Sequence, residues 1–228
     1  MDGKTKIWLI SLGIGTAVLT GLALAYRREL KKGFKLGAKK LSSFKKSLIE
    51  KANSQWSEWN NQGKIKEGDP RTMDKLRQYW REGGGLNWSD QKMTDEAWSA
   101  VFISWLMKMA GAGADFKYNA SHSKYIRASI SNRKENNANP FKGYKPEEVN
   151  VEVGDLVCYA RQSGVGYDTT NSYASHCDLV VSIDGDAESI GGNVSDSVTK
   201  TTVPLTTDKK IDNSRGKKKY FVVIKNGK

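Results

Sequence analysis

The stretch Thr94–Gly111, TDEAWSAVFISWLMKMAG, limits this chain more than any other. Trp98, Val101, Phe102, Trp105, Leu106 and Met109 recur at the three-and-four spacing of an amphipathic helix. Thr94 suits the N-cap, Asp95 and Glu96 suit the positive end of the helix dipole, and Gly111 can stop the helix. Ser99 then falls in or near the first turn, close to a helix end that favours negative charge and so suits a nucleophile. The plain alternative for Ser99 is a small residue that lets two elements pack closely.

Past Val149 the apolar period changes from helical to two. Asp155–Ala160, Ser175–Ile183, Ala187–Asn193, Ser197–Val203 and Tyr220–Lys225 read as strands. Before that point Lys51–Trp59, Met73–Glu82 and Ser121–Ser131 read as helices, and Asn132–Tyr144, with Pro140, reads as a loop. Helices first and strands afterwards imply an α+β domain on an antiparallel sheet.

The N-terminal segment is of another kind. Ile7–Tyr26 is a twenty-residue run without a charge, enough for a transmembrane helix, with Trp8 and Tyr26 near its ends. Its rival is a signal peptide cleaved near Ala23-Leu24-Ala25. Residues 1–51 hold 12 Lys and Arg against 3 acids, whereas the remaining 177 hold 25 against 22. The basic character therefore belongs to the leader, and a nearly neutral body gives no expectation of nucleic-acid binding. Because those charges follow the apolar run, the positive-inside rule would keep the body in the cytoplasm. Leu30, Phe34, Gly37, Leu41, Phe44 and Leu48 form a heptad-like stripe. It suits anionic lipid, a partner helix or a solvated stalk. The implied organisation is residues 1–28 as transmembrane helix or signal anchor, 29–51 as basic amphipathic linker and 52–228 as the folded domain.

Two histidines and two cysteines restrict the chemistry. They give no recognisable zinc spacing, and no metal or other cofactor is expected. His122, among serines in a helix, reads as exposed capping or packing. His176 opens a strand after a glycine-bearing loop, a place from which a ring can enter a cleft. Asp178, two residues on, shares its side of the strand. Asn193 ends the next strand in Gly191-Gly192-Asn193, where paired glycines allow close backbone approach. Cys158 and Cys177 read as small buried hydrophobes, and as cross-strand neighbours they permit a disulfide that the fold does not require.

These residues carry a resemblance. Trp98-Ser99-Ala100-Val101-Phe102 resembles the nucleophile helix of NlpC-type and CHAP-type cell-wall peptidases, which often reads Trp-Cys-Ala-x-Phe. Gly154-Asp155-Leu156-Val157 is similar to their strand entry, Ser175–Val181 to their histidine strand, and Ile190-Gly191-Gly192-Asn193 to the strand supplying the third residue. The four motifs come in the family order, cover roughly Ser43–Lys225, and look closest to a domain-of-unknown-function branch of that clan. The resemblance implies a papain-like fold and amide hydrolysis in peptidoglycan, by an amidase or an endopeptidase. It places Ser99 as nucleophile, His176 as base and Asn193 as the residue orienting it. Asp178, Trp98 and Tyr173 would shape the substrate cleft. Serine at 99, where the family has cysteine, departs from the pattern, since a hydroxyl leans harder on its base than a thiol does. The departure leaves a second expectation, an inactive peptidoglycan-binding or assembly protein. A third is a virion or delivered lytic protein. The body is expected at a membrane on a single-pass anchor, and its side stays open: the charges favour the cytoplasm, whereas cell-wall chemistry needs the cell envelope or delivery by a phage or secretion apparatus.

Overall fold

A computed structural model describes residues 41–59 and 64–228. The Ile7–Tyr26 run and most of the basic stripe lie outside them, and no helix among the described residues is long and apolar enough to cross a membrane. The body runs from Ser42 to Lys228.

Its first helix, α1 (Ser43–Glu58), is capped by Ser42, whose Oγ accepts from the Lys45 N–H. Phe44 and Leu48, read from the sequence as part of the linker stripe, are buried in the body's core. The folded domain therefore begins about ten residues before position 52. Helix α2 (Pro70–Gln78) starts with proline at N1 behind its Asp69 cap and runs into a π-helical turn, Tyr79–Gly83. There a Cβ on Gly83 would strike the Val101 carbonyl, so the absent side chain lets the turn lie against the central helix.

The stretch expected to be one helix from Thr94 is two. Short α3 (Asp90–Asp95) takes Ser89 as its cap and contains Thr94, and α4 (Ser99–Ala110) begins at Ser99. Between them Trp98 stacks on Trp59 and Tyr79, at 5.0 and 5.8 Å between ring centroids, and this anchoring fixes the break. Every residue from Ser99 to Met107 is buried, so α4 is the hub of the body and not a surface helix. It ends at Gly111 in the left-handed region (φ 93°), as its sequence suggested. Helix α5 (His122–Lys134) completes the helical layer.

Six strands follow: β1 (Phe141–Tyr144), β2 (Leu156–Ala160), β3 (Ser175–Asp184), β4 (Asp186–Gly191), β5 (Thr199–Val203) and β6 (Tyr220–Asn226). They form one antiparallel sheet in the order β1-β6-β2-β3-β4-β5, so the body is α+β. One face, with Leu156, Cys158, Cys177 and Leu179, packs on the helices. The other, with Val157, Val180, Val203 and Val223, is covered by Val151, Leu205 and Ile211 from the connections. Only β1 is new to the sequence reading, which left it in a loop.

Cys158 and Cys177 face each other in the β2–β3 register, 4.1 Å apart at Cα, and are joined by a disulfide. The bond spans 19 residues and removes freedom from the unfolded chain. Its reduction is expected to cost about 3 kcal/mol, read as a lower thermal midpoint in reductant. An unchanged midpoint would assign the strand pairing to packing alone.

Candidate functional site

Two helix starts meet here. Ser99 is the first residue of α4 and His122 the first of α5, and neither helix has a side-chain cap. The first intrahelical bond of α4 runs from the Phe102 N–H to the Trp98 carbonyl. The N–H groups of Ser99, Ala100 and Val101 precede it and point out of the helix end. Ser99 Oγ lies 2.7 Å from His122 Nε2, within hydrogen-bond reach. On the far side of the ring, Nδ1 is hydrogen-bonded to the hydroxyl of Tyr125, one turn along α5. With the imidazole proton on Nδ1, His122 donates to Tyr125 Oη and accepts from Ser99 Oγ at Nε2. That is the tautomer in which it can take the serine proton.

A second imidazole stands against the first. The ring of His176, on β3, lies 5.1 Å from that of His122 and 5.2 Å from that of Tyr159, its register partner on β2. His176 Nε2 is 2.7 Å from Asp178 Oδ1. The other carboxylate oxygen accepts from Lys218 Nζ at 3.2 Å, and the ammonium also reaches Thr201 Oγ1 and lies over the Tyr159 ring. The sheet thus links Lys218, Asp178 and His176, the helices link Ser99, His122 and Tyr125, and the two sets meet where the imidazole rings stand 5.1 Å apart.

Burial governs the charges. Ser99, His122, His176 and Asp178 are 3, 5, 1 and 0% exposed. Burial, and then the neighbouring His176, hold the His122 imidazole well below its usual 6.5, so it is neutral at pH 7 and its Nε2 or Nδ1 lone pair is free to accept a hydrogen bond. Burial alone would raise the Asp178 carboxyl, but His176 and Lys218 outweigh it and keep the group ionised. Burial raises the Tyr125 phenol well above its ordinary value, which keeps it neutral.

The depressed imidazole links stability to pH. Below about pH 6.5 the unfolded chain binds a proton at His122 that the folded body refuses, so stability falls as pH falls. The expected slope is about 1.4 kcal/mol per pH unit, with Asp178 adding to it below about pH 4. Denaturant unfolding at pH 7, 6 and 5 measures it, and His122→Gln should flatten the upper part. An equal slope in that variant would move the effect to other groups.

Several expectations are revised here. His122, read as exposed packing, is the buried partner of Ser99. Its pairing crosses 23 residues and two helices, a relation no local period reveals. His176 is held by Asp178, whereas Asn193 sits half-buried in the loop after β4 at φ 53°. No side-chain hydrogen bond of Asn193 is found among the described residues. The same-side spacing of residues 176 and 178 was the signal for that hydrogen bond. Asp178 and Trp98, expected in the substrate cleft, are enclosed: Trp98 is stacked in the core and donates its indole N–H to Glu67. Tyr173 is buried against Phe221, with its hydroxyl unpartnered and raised by burial to about 12.

Glycines 191 and 192 make the assembly fit. A Cβ on Gly191 would overlap Asp178 Oδ1 and stand 3.0 Å from His176 Nε2, and one on Gly192 would enter the Phe102 ring. Among the described residues no cluster of His, Cys, Asp or Glu is arranged to hold a metal ion.

No curated protein and no solved structure matches the chain. The family model of uncharacterized proteins conserved in bacteria, DUF2272, matches residues 52–224, which takes in every site residue above and most of the chain. The chain therefore belongs to the DUF2272 family.

Proposed function

We propose that this protein is a papain-like hydrolase that cleaves an amide in peptidoglycan by acyl transfer, with Ser99 as nucleophile and His122 as its base. The observation that carries the proposal is the 2.7 Å contact between the Ser99 hydroxyl and a neutral, buried imidazole at two converging helix starts. Ser99 Oγ attacks the carbonyl carbon while its proton passes to His122 Nε2. Negative charge on the carbonyl oxygen is met by the uncapped N–H groups at the head of α4. His122 returns the proton to the leaving nitrogen, the amine departs, and water repeats the sequence on the acyl-serine ester. Asp178, through His176, offsets the positive charge that His122 acquires in the transition state. The peptidoglycan substrate follows from the resemblance of the four motifs to cell-wall peptidases, and Ile7–Tyr26 would tether the body to the envelope membrane.

Incubating the full-length protein with peptidoglycan and separating the released fragments tests this. Wild type should release fragments and Ser99→Ala should not. Identical empty chromatograms would remove the hydrolase. Ser99→Cys adds a second arm, because turnover gained with a thiol would show the remaining groups to be competent.

The enclosure of Ser99, at 3% exposure, favours one other reading. In it the hydroxyl, the imidazoles and Asp178 are a structural network in a protein that binds peptidoglycan without cutting it. That reading expects pull-down by peptidoglycan to survive both Ser99→Ala and His176→Ala.

A further inference from the structure

Most arginines of the body are spoken for. Arg71, Arg77, Arg81, Arg133 and Arg215 each meet a carboxylate within salt-bridge distance. Arg127 and Arg161 are the other arginines of the described residues, and neither meets one. Arg161 is the one beside the candidate site. Its backbone N–H donates to the Ala174 carbonyl at 2.9 Å, which continues the β2–β3 ladder past Ala160 and Ser175. Two positions from Tyr159, it lies on the side of the sheet where Tyr159 pairs with His176. Its side chain is exposed, whereas Ser99, His122, His176 and Asp178 are enclosed. The disulfide between Cys158 and Cys177 braces the strands that present it.

An unpaired guanidinium is an unused fork of donors suited to a planar anion. We infer that Arg161 binds a carboxylate of the substrate, so that the acyl donor is a peptide carrying a free carboxylate near the bond to be cut. The assignment rests on the hydrolase proposal and adds to it the substrate class.

The pairing has a consequence for the base. Arg161 is one of the charges that disfavour protonation of His122, together with His176; Asp178 acts the other way, and Tyr125, neutral, closes the ring's far side. A carboxylate seated on Arg161 neutralises the guanidinium and makes His122 a stronger base only when the right substrate is bound.

The test uses full-length Ser99→Ala protein, which consumes no ligand, and N-acetylated di- and tripeptides as free acids or C-terminal amides. Titration calorimetry should find the acids binding about tenfold tighter, the worth of one charge-assisted contact. Arg161→Gln should remove that preference, Arg161→Lys should keep part of it, and Arg71→Gln, an exposed arginine paired elsewhere, should leave it intact. Because the chain holds only two histidines, imidazole NMR reports on the site directly. The acids, and not the amides, should raise the His122 titration midpoint. Equal binding of both forms, a preference that persists in Arg161→Gln, or no binding of either at millimolar concentration overturns the assignment. Failure of the hydrolase proposal shows elsewhere, as no fragment release by wild type.

Discussion

Gly191→Ala is expected to destabilise the body by about 3 kcal/mol or more, the upper range for overpacking a core. The new methyl would overlap Asp178 Oδ1, and both neighbours it meets are rooted in β3 and fully enclosed. Neither is the loose end of a flexible side chain. Relief requires the carboxylate to leave His176 or Lys218, which strands a buried charge, and breaking such a pair by itself costs several kcal/mol. Gly166→Ala is the control, since a Cβ there meets nothing within 4 Å and its backbone is not left-handed. Urea unfolding of the two variants measures the difference. Equal midpoints would mean that β4 can shift away from β3, and the close-approach account of the paired glycines would be lost.

The largest effect on activity is expected at Ser99. Ser99→Ala should lower fragment release by about 10⁴-fold or more, because the groups of such a site act as a unit. His122→Ala should approach the same loss. His176→Ala should fall short of it, since that ring is hydrogen-bonded to Asp178 and only lies beside the His122 ring, whereas the Ser99 hydroxyl is bonded to His122. The order of the two histidine variants decides between the base named by geometry and the base named by resemblance. If His176→Ala abolishes release while His122→Ala retains it, the proton goes to β3 and the contact between Ser99 and His122 is a resting arrangement only.

Much of this architecture was legible in the chain because one period governs each part. Strands β2 to β6 followed from alternation after Val149, and Gly111 marked the end of α4 by its own conformational preference. What escaped was fixed by distant partners. The break before Ser99 depends on Trp98 stacking on Trp59 and Tyr79, far off in sequence. β1 is four residues long, lies behind Pro140 and exists because β6 offers an edge. At the site, the shared side of residues 176 and 178 was visible in the strand period, and the glycine pair announced close approach. The placements of His122 and Asn193 were not readable, because helix α5 brings the first to Ser99 through tertiary packing and the turn after β4 leaves the second without a side-chain hydrogen bond among the described residues.

One further detail of the body bears on how it is handled. Ser42 Oγ donates to the carbonyl of Lys228 at 2.6 Å, so the two ends of the folded unit leave it at the same spot, beside β1 and β6. A fusion partner or purification handle added at residue 228 therefore starts beside Ser42. The same closeness makes the body a natural subject for circular permutation, with a short bridge joining the old ends and new ones opened in an exposed loop.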